Sequence, residues 1–313
     1  MESYDVIIIG GGPSGLTAGM YVARRKLRTL ILEAEGEVGG QPLNFYPKKN
    51  IQNFPGFPEG ITGEEFSKKL KKHALTSGVE IRTNERVVSL AFENEKKIVT
   101  TEKSKYVAKS IIICIGFSRG IPKKLGIKGE EEFYKKGVEY KVKHPEKFSG
   151  KRVIVVGGGN VAVENALNIE KFASKVILIH RRDELRAEEF YKNKLKASKV
   201  EIRWNTELKE IKGNDKVEKV ILYNNKTFKE EEVGVDEIII NIGVIAQLDF
   251  LKKAGLAIEK NYIKVNLNQE TNIAGVFAAG DITGRAKQLA TACGDAVVAA
   301  LNAYKYVKKP YWA

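Results

Sequence analysis

The chain has 313 residues, 43% of them apolar and 29% charged, an ordinary soluble balance with room for two domains and a core in each. Its two cysteines, Cys114 and Cys293, lie far apart and fit no C-x-x-C or zinc spacing, so a disulfide framework is excluded, and with only three histidines no metal site is expected. The formal charge of +14 is spread over many segments; it suits either steering of an acidic partner or a Lys-rich solvated surface, and no aromatic-basic motif points to nucleic acid.

Tyr4 to Ile9 (YDVIII) reads as a buried parallel strand. A strand so early leaves no room for a signal peptide, and the apolar runs fall far short of the ~18 residues of a membrane helix, so a cytoplasmic protein without membrane attachment is expected. Gly10-Gly11-Gly12-Pro13-Ser14-Gly15 follows, then a helix over Leu16 to Arg25 and a second strand, Thr29 to Leu32, ending at Glu33. This is a β-α-β dinucleotide fingerprint: the first glycine permits the turn, the second admits a pyrophosphate, and the third lets helix and strand pack closely. The helix N-terminus offers free N–H groups and a partial positive charge. Glu33 can accept hydrogen bonds from ribose hydroxyls and would repel a 2′-phosphate, so the first site suits FAD or NAD.

From Gly39 to Pro58 the chain is rich in glycine, proline, amides and aromatics without a clear period. A long irregular stretch of this kind is usually functional or disordered, and the aromatics argue for function. Short strands between Arg86 and Ala108 read as a β-meander. Ser110 to Gly116 (SIIICIG) reads as a return strand beneath the nucleotide.

The middle of the chain repeats the scheme. Arg152 to Val156 is a strand, Gly157-Gly158-Gly159-Asn160-Val161-Ala162 the turn, Val163 to Phe172 a helix and Val176 to Ile179 the second strand. His180 stands where Glu33 stood, followed by Arg181, Arg182 and Arg186. Guanidinium forks match phosphate geometry, so NADP(H) is expected here rather than NAD(H), with Asp183 and Glu184 toward a helix N-terminus. A second meander falls between Glu201 and Phe228, and Glu237 to Gly243 (EIIINIG) matches the earlier return strand.

The order GGGPSG, GGQ (Gly39 to Gln41), NFPG (Asn53 to Gly56), GGGNVAVE (Gly157 to Glu164), HRRDELRA (His180 to Ala187), GVFAAGD (Gly275 to Asp281) and QLATACGDA (Gln288 to Ala296) resembles the thioredoxin reductase family over essentially the whole chain. The resemblance implies a homodimer of α/β subunits, each with two doubly wound, Rossmann-like domains bearing β-meanders. An NADPH domain, residues 117–244, is inserted into an FAD domain made of residues 1–116 and 245–313. It implies FAD contacts from Gly10, Gly12, Pro13, Ser14, Glu33, Gly40, Val87 and Gly116. Gln41 and Asn53 meet the flavin ring, Asp281 the ribityl chain, and Lys287, Gln288 and Leu289 the pyrimidine edge. It implies NADPH contacts from Gly157, Gly159, Asn160, Val161, Glu164, His180, Arg181, Arg182, Arg186 and Gly243.

Thioredoxin reductases carry a C-x-x-C just before the second fingerprint; the aligned residues here are Lys141-Val142-Lys143-His144. The sequence is therefore closer to a sister group without that pair, the thioredoxin-reductase-like ferredoxin (or flavodoxin)–NADP reductases, whose pattern of a Tyr-Pro pair, basic residues and then G-F-P the stretch NFYPKKNIQNFPGFP resembles. There Tyr46 matches a tyrosine that stacks on the flavin. That group usually covers the other flavin face with a C-terminal residue. This chain stops at Ala313, leaving Tyr311 or Trp312 as candidates, and its usual G-x-x-P reads Gly243-Val244-Ile245-Ala246. The expected activity is FAD-mediated electron transfer between NADPH and an acidic one-electron carrier, with no side-chain acid or base. The alternatives are an NADPH oxidase or diaphorase, and a non-catalytic flavin and NADPH redox sensor.

Overall fold

In the computed structural model, which describes residues 1–93, 96–117, 120–142 and 144–312, the chain divides into two units. One comprises Met1–Ile121 with Ile245–Ala313, the other Pro122–Val244. Of the Lys141-to-His144 stretch, Lys143 lies outside the described residues.

The first unit is built on a seven-stranded sheet. Its parallel part runs Glu80–Arg82, Thr29–Leu32, Glu2–Ile9, Lys105–Ile113, in register Ile31↔Ile81, Ile7↔Leu30 and Ile7↔Ile111. Val6, Ile7, Ile8, Leu30, Ile31, Ile111 and Ile112 are all fully buried. Both faces of these strands are covered, which is why they read as continuous apolar runs rather than alternating ones. On one face lie the Pro13–Ala23 helix and the long final helix, Leu289–Lys308. Ala292, Ala296, Ala299, Ala300 and Ala303 recur at helical spacing along the final helix, and these small side chains allow close approach. The other face packs against Leu90 and Val99 of the meander and Leu248, Leu251 and Leu256.

The Lys105–Ile113 strand serves two partners in succession. Its first half pairs antiparallel with the meander strand Lys96–Thr101 (Ile98↔Val107), and its second half pairs parallel with Val276–Ala278 (Phe277↔Ile112). It stops at Ile113 rather than running on to Gly116, because Cys114 N–H donates to Ile9 O as the last rung and Gly116 has a positive φ of 51°. The first helix begins at Pro13, not Leu16: Gly12 is an extended N-cap and proline, with no N–H to satisfy, starts the helix. The stretch read as irregular contains a short helix, Gly40–Phe45, and a two-residue pairing of Asn50–Ile51 with Ile61–Thr62.

The second unit has a five-stranded, all-parallel sheet in the order Val138–Glu139, Glu237–Ile240, Arg152–Val156, Lys175–His180, Glu201–Trp204. An antiparallel meander follows, Thr206–Gly213, Val217–Asn224 and Glu230–Gly234. The helix of the second fingerprint spans Asn160–Ile169, again starting before the expected Val163. His180 is the last residue of its strand, paired with Trp204. Each unit is an α/β fold in which a glycine turn joins a central strand to a helix, the arrangement the repeated motif implies.

Candidate functional site

In the first unit the glycine turn is held by backbone at Gly10 and Gly15. Gly10 has φ +103°, its N–H donates to Leu32 O at 2.8 Å, and an added Cβ would lie 2.5 Å from Cys114 O. At Gly15 a Cβ would lie only 1.8 Å from Gly10 O, so helix and strand touch through this residue. Gly12 is different, since a Cβ there would meet only Gly40 Cα at 3.7 Å. The turn is therefore closed beneath and open at the position where a pyrophosphate is expected, beside the N–H groups that start the Pro13–Ala23 helix. Glu33 is nearly buried, with Oε2 accepting from Gly11 N–H (2.7 Å) and Oε1 from Glu35 N–H (2.8 Å).

Residues from distant motifs meet beside this turn. Gly280, at φ +81°, sits so close to Ser14 that a Cβ would be 2.9 Å from its Oγ, which brings Asp281 to the start of the first helix. Gln41 Nε2 donates to Asp281 Oδ2 (3.1 Å), and Asn53 Nδ2 donates to Gln288 Oε1 (3.1 Å). Burial raises the Asp281 carboxyl above its ordinary range, against the smaller opposing effects of Gln41 and Lys287. The Lys287 ammonium lies over the rings of Phe117 (4.5 Å) and Tyr262 (5.3 Å), which contact each other edge to face. Neither ring belongs to a motif, so nothing in the sequence singles them out. Leu289 opens the final helix. Tyr46 closes the Gly40–Phe45 helix, half-buried, with Lys49 Nζ 5.3 Å from its ring centroid. Val87 is buried at the head of a meander strand. At Gly116 a Cβ would meet nothing within 4 Å. Tyr311 is fully exposed, and Trp312 stacks on Tyr304 of the final helix (6.3 Å, 23°).

In the second unit Gly157 has φ +150° and packs against Asn241 O, while Gly159 has open space around it at the N-cap of the Asn160–Ile169 helix. Asn160 and Glu188 bond reciprocally: Asn160 Nδ2 donates to Glu188 Oε1 and Glu188 N–H to Asn160 Oδ1, both at 2.8 Å. Val161 is exposed, Glu164 half-buried, and Gly243 (φ +110°) accepts from Lys123 N–H through its carbonyl. The structure separates His180 from the arginines. His180 is buried with its ring beneath Gly158, where a Cβ would be 2.3 Å from Cε1. Burial first, then the charges of Arg186 and Arg182, hold the imidazole below its ordinary pKa, and Nε2 has no hydrogen-bond partner among the described residues. Arg181, Arg182 and Arg186 are exposed, and among the described residues none is in an ion pair. Three unneutralised guanidinium groups beside a helix N-terminus form a donor set suited to phosphate.

The family described as pyridine nucleotide-disulphide oxidoreductase matches residues 4–296. A ferredoxin–NADP reductase of Metallosphaera sedula is 38% identical over 316 residues, covering 98% of this chain and 94% of that protein. A thioredoxin reductase of Bacillus subtilis is 39% identical over 310 residues, covering 98% and 95%. Among solved structures, thioredoxin reductase of Lactococcus lactis superposes with a TM-score of 0.90 at 38% identity, covering 98% of this chain and all of that one.

Proposed function

The chain belongs to the pyridine nucleotide-disulphide oxidoreductase family, and from that premise we propose that it passes electrons between NADPH and a one-electron carrier protein, a ferredoxin or flavodoxin, without a redox disulfide. It is an oxidoreductase whose cofactors are FAD and NADPH. The observation that carries the finer reading is the state of its only two thiols. Cys114 is free and buried, and burial pushes its thiol up to about 12; Cys293 is also free, and burial raises it too. Dithiol exchange needs an accessible thiolate near neutral pH. Both shifts run away from that condition, although both sulfurs lie near the first turn of the Pro13–Ala23 helix, and the aligned Lys141-to-His144 stretch has no sulfur at all.

The residues of the two fingerprints fit these groups. The first turn, open at Gly12 and closed by a carboxylate at Glu33, suits FAD; the second, open at Gly159 and ringed by Arg181, Arg182 and Arg186, suits NADPH. When bound, the flavin supplies hydride acceptance from nicotinamide and one-electron release to the carrier. The chain supplies position and charge. Glu33 offers acceptor capacity to a ribose, Asp281 and Gln41 form a polar pair at the helix start, and the N-terminus of the final helix with Lys287 favours negative charge beside it. No side-chain acid or base is needed for hydride transfer. With no thiol relay, the carrier docks directly at the flavin, and the net charge of +14 favours an acidic one. We propose a homodimer as the working assembly. No helix among the described residues is long and apolar enough to cross a membrane.

Relatives named thioredoxin reductase keep a disulfide-reducing reading in view, and one experiment separates the two. The purified protein is mixed without oxygen with NADPH and an acidic ferredoxin, and cytochrome c reduction is followed. A strong, salt-sensitive dependence on ferredoxin is expected. Fast flavin reduction with no gain from ferredoxin would leave an NADPH oxidase instead, and thioredoxin-dependent disulfide reduction by the protein alone would overturn the proposal.

A further inference from the structure

The turn that carries Arg181 and Arg182 is held by its backbone, since their side chains make no ion pair among the described residues. Arg186 N–H donates to Gly158 O (2.7 Å), tying the far end of the turn to the glycine fingerprint. The near end is anchored from elsewhere. Asn205 N–H donates to Arg182 O (3.2 Å), and Asn225 Nδ2 donates to Arg181 O (2.9 Å). Asn225 N–H also donates to Asn205 O (2.8 Å), so the two anchors form one assembly.

Asn225 sits at the tip of the hairpin between the Val217–Asn224 and Glu230–Gly234 strands. The tip is tightly braced. Asn224 Oδ1 accepts from Lys226 N–H (3.0 Å) and Thr227 N–H (2.9 Å), an Asx-type turn, and Phe228 at φ +60° returns its N–H to Asn224 O (2.8 Å). The Asn225 carboxamide is fixed in addition by a second bond from Nδ2 to Glu207 Oε1 (2.8 Å). One Nδ2 thus serves two oxygens, which leaves the side chain little rotational freedom.

We propose that Asn225 is a positioning residue for 2′-phosphate recognition. The meander tip, through this carboxamide, sets the Arg181 carbonyl and with it the direction in which Arg181 and Arg182 present their guanidinium groups, so the preference for NADPH over NADH is determined partly by a hairpin outside both fingerprint motifs. Guanidinium recognition of phosphate is directional, and a small rotation of the turn forfeits a bidentate contact. Loss of the carboxamide also leaves the Glu207 carboxylate without this donor beside the arginine turn, where it competes for the same cations. The inference rests on the reading that Arg181 and Arg182 receive the 2′-phosphate.

The test titrates the FAD-loaded protein by calorimetry with 2′,5′-ADP and with 5′-AMP; the ratio of the two affinities isolates the 2′-phosphate. Arg181→Ala is the reference and should lower the ratio by about tenfold. Asn225→Leu should lower it several-fold, and Asn225→Asp further, with 5′-AMP binding unchanged and with KM for NADPH rising at constant kcat. If Arg181→Ala lowers the ratio while both Asn225 variants leave it within twofold, the positioning role is overturned and the phosphate assignment stands. If Arg181→Ala leaves the ratio unchanged, the assignment itself fails, and the inference with it. An equal loss of affinity for both probes in the Asn225 variants marks a merely structural residue and also overturns the role. Should Asn225→Leu not fold, Asn225→Ala decides in its place, because Asn225→Asp adds a carboxylate beside the arginines and lowers the ratio by charge alone.

Discussion

Gly15→Ala is the smallest substitution that tests the first nucleotide site. The added methyl would lie 1.8 Å from Gly10 O and 3.0 Å from Gly10 C, whereas contacts under 3.0 Å are essentially never made by a real Cβ. The helix start and Gly10 must therefore separate by more than about 1 Å. Gly10 cannot yield, because its N–H is bonded to Leu32 O and Cys114 backbone closes its other side. The displacement falls on Gly12, Pro13 and Ser14, the groups expected to face the pyrophosphate. Overpacking of this sort costs about 1–3 kcal/mol or more. Moving N–H donors by about 1 Å removes charge-assisted bonds worth roughly 1.5–3 kcal/mol each, so two lost bonds weaken FAD binding by at least about a hundredfold. The assay is flavin absorbance relative to protein after gel filtration, with the melting temperature measured alongside. Ala162→Gly, at the same place in the second fingerprint, is the control and should retain FAD. A Gly15→Ala protein that purifies fully yellow with an unchanged melting temperature would refute this account of the turn.

Replacing Arg181 and Arg182 together with Ala should raise the Kd for NADPH by roughly two orders of magnitude, taking the lower end of about 1.5 kcal/mol per contact because both side chains are exposed, and leave NADH within threefold; equal effects would exclude a 2′-phosphate contact. His180 has a pKa held below its ordinary 6.5, so the folded state disfavours its protonation. The stability it contributes is present above about pH 6.5 and is lost as the solution is acidified; melting curves from pH 8 to 5 should fall less steeply for His180→Gln, and parallel curves would count against the assignment. Asp281 is displaced the other way, upward from 3.8 by burial. Its stabilising contribution is present below pH 3.8 and is lost as pH rises through the folded value, so flavin-free Asp281→Asn should melt above the parent at pH 7 but not at pH 3.5; a lower melting temperature at pH 7 would contradict the burial argument.

Much of the architecture is legible locally. The strands are apolar runs because both sheet faces are covered, and the repeated glycine turns identify the two places where a strand end, a turn and a helix start coincide. Boundaries were less legible. Both fingerprint helices start three residues early, because an extended glycine N-cap lets the helix begin inside the motif, and the Lys105–Ile113 strand ends where Gly116 adopts positive φ rather than where the apolar run ends. The stretch around Tyr46 has no period because its order comes from a short helix and a two-residue pairing, neither long enough to imprint one.

Fold class, the two glycine turns between strand and helix and the absence of a thiol pair before the second of them can all be read along the chain, because each depends on residues adjacent in it. How equivalent positions are used cannot be read in this way. Glu33 directly follows its strand and His180 ends the corresponding one, yet the carboxylate accepts from Gly11 N–H whereas the imidazole lies beneath Gly158 and leaves the charge to the exposed arginines. That difference arises from packing in three dimensions, which also brings Gln41 to Asp281, Asn53 to Gln288, Phe117 and Tyr262 to Lys287, and Asn225 to Arg181. Such contacts join loops whose separation in the chain is large and whose residues show no periodicity; their geometry is set by the packing of the strands and helices that carry them.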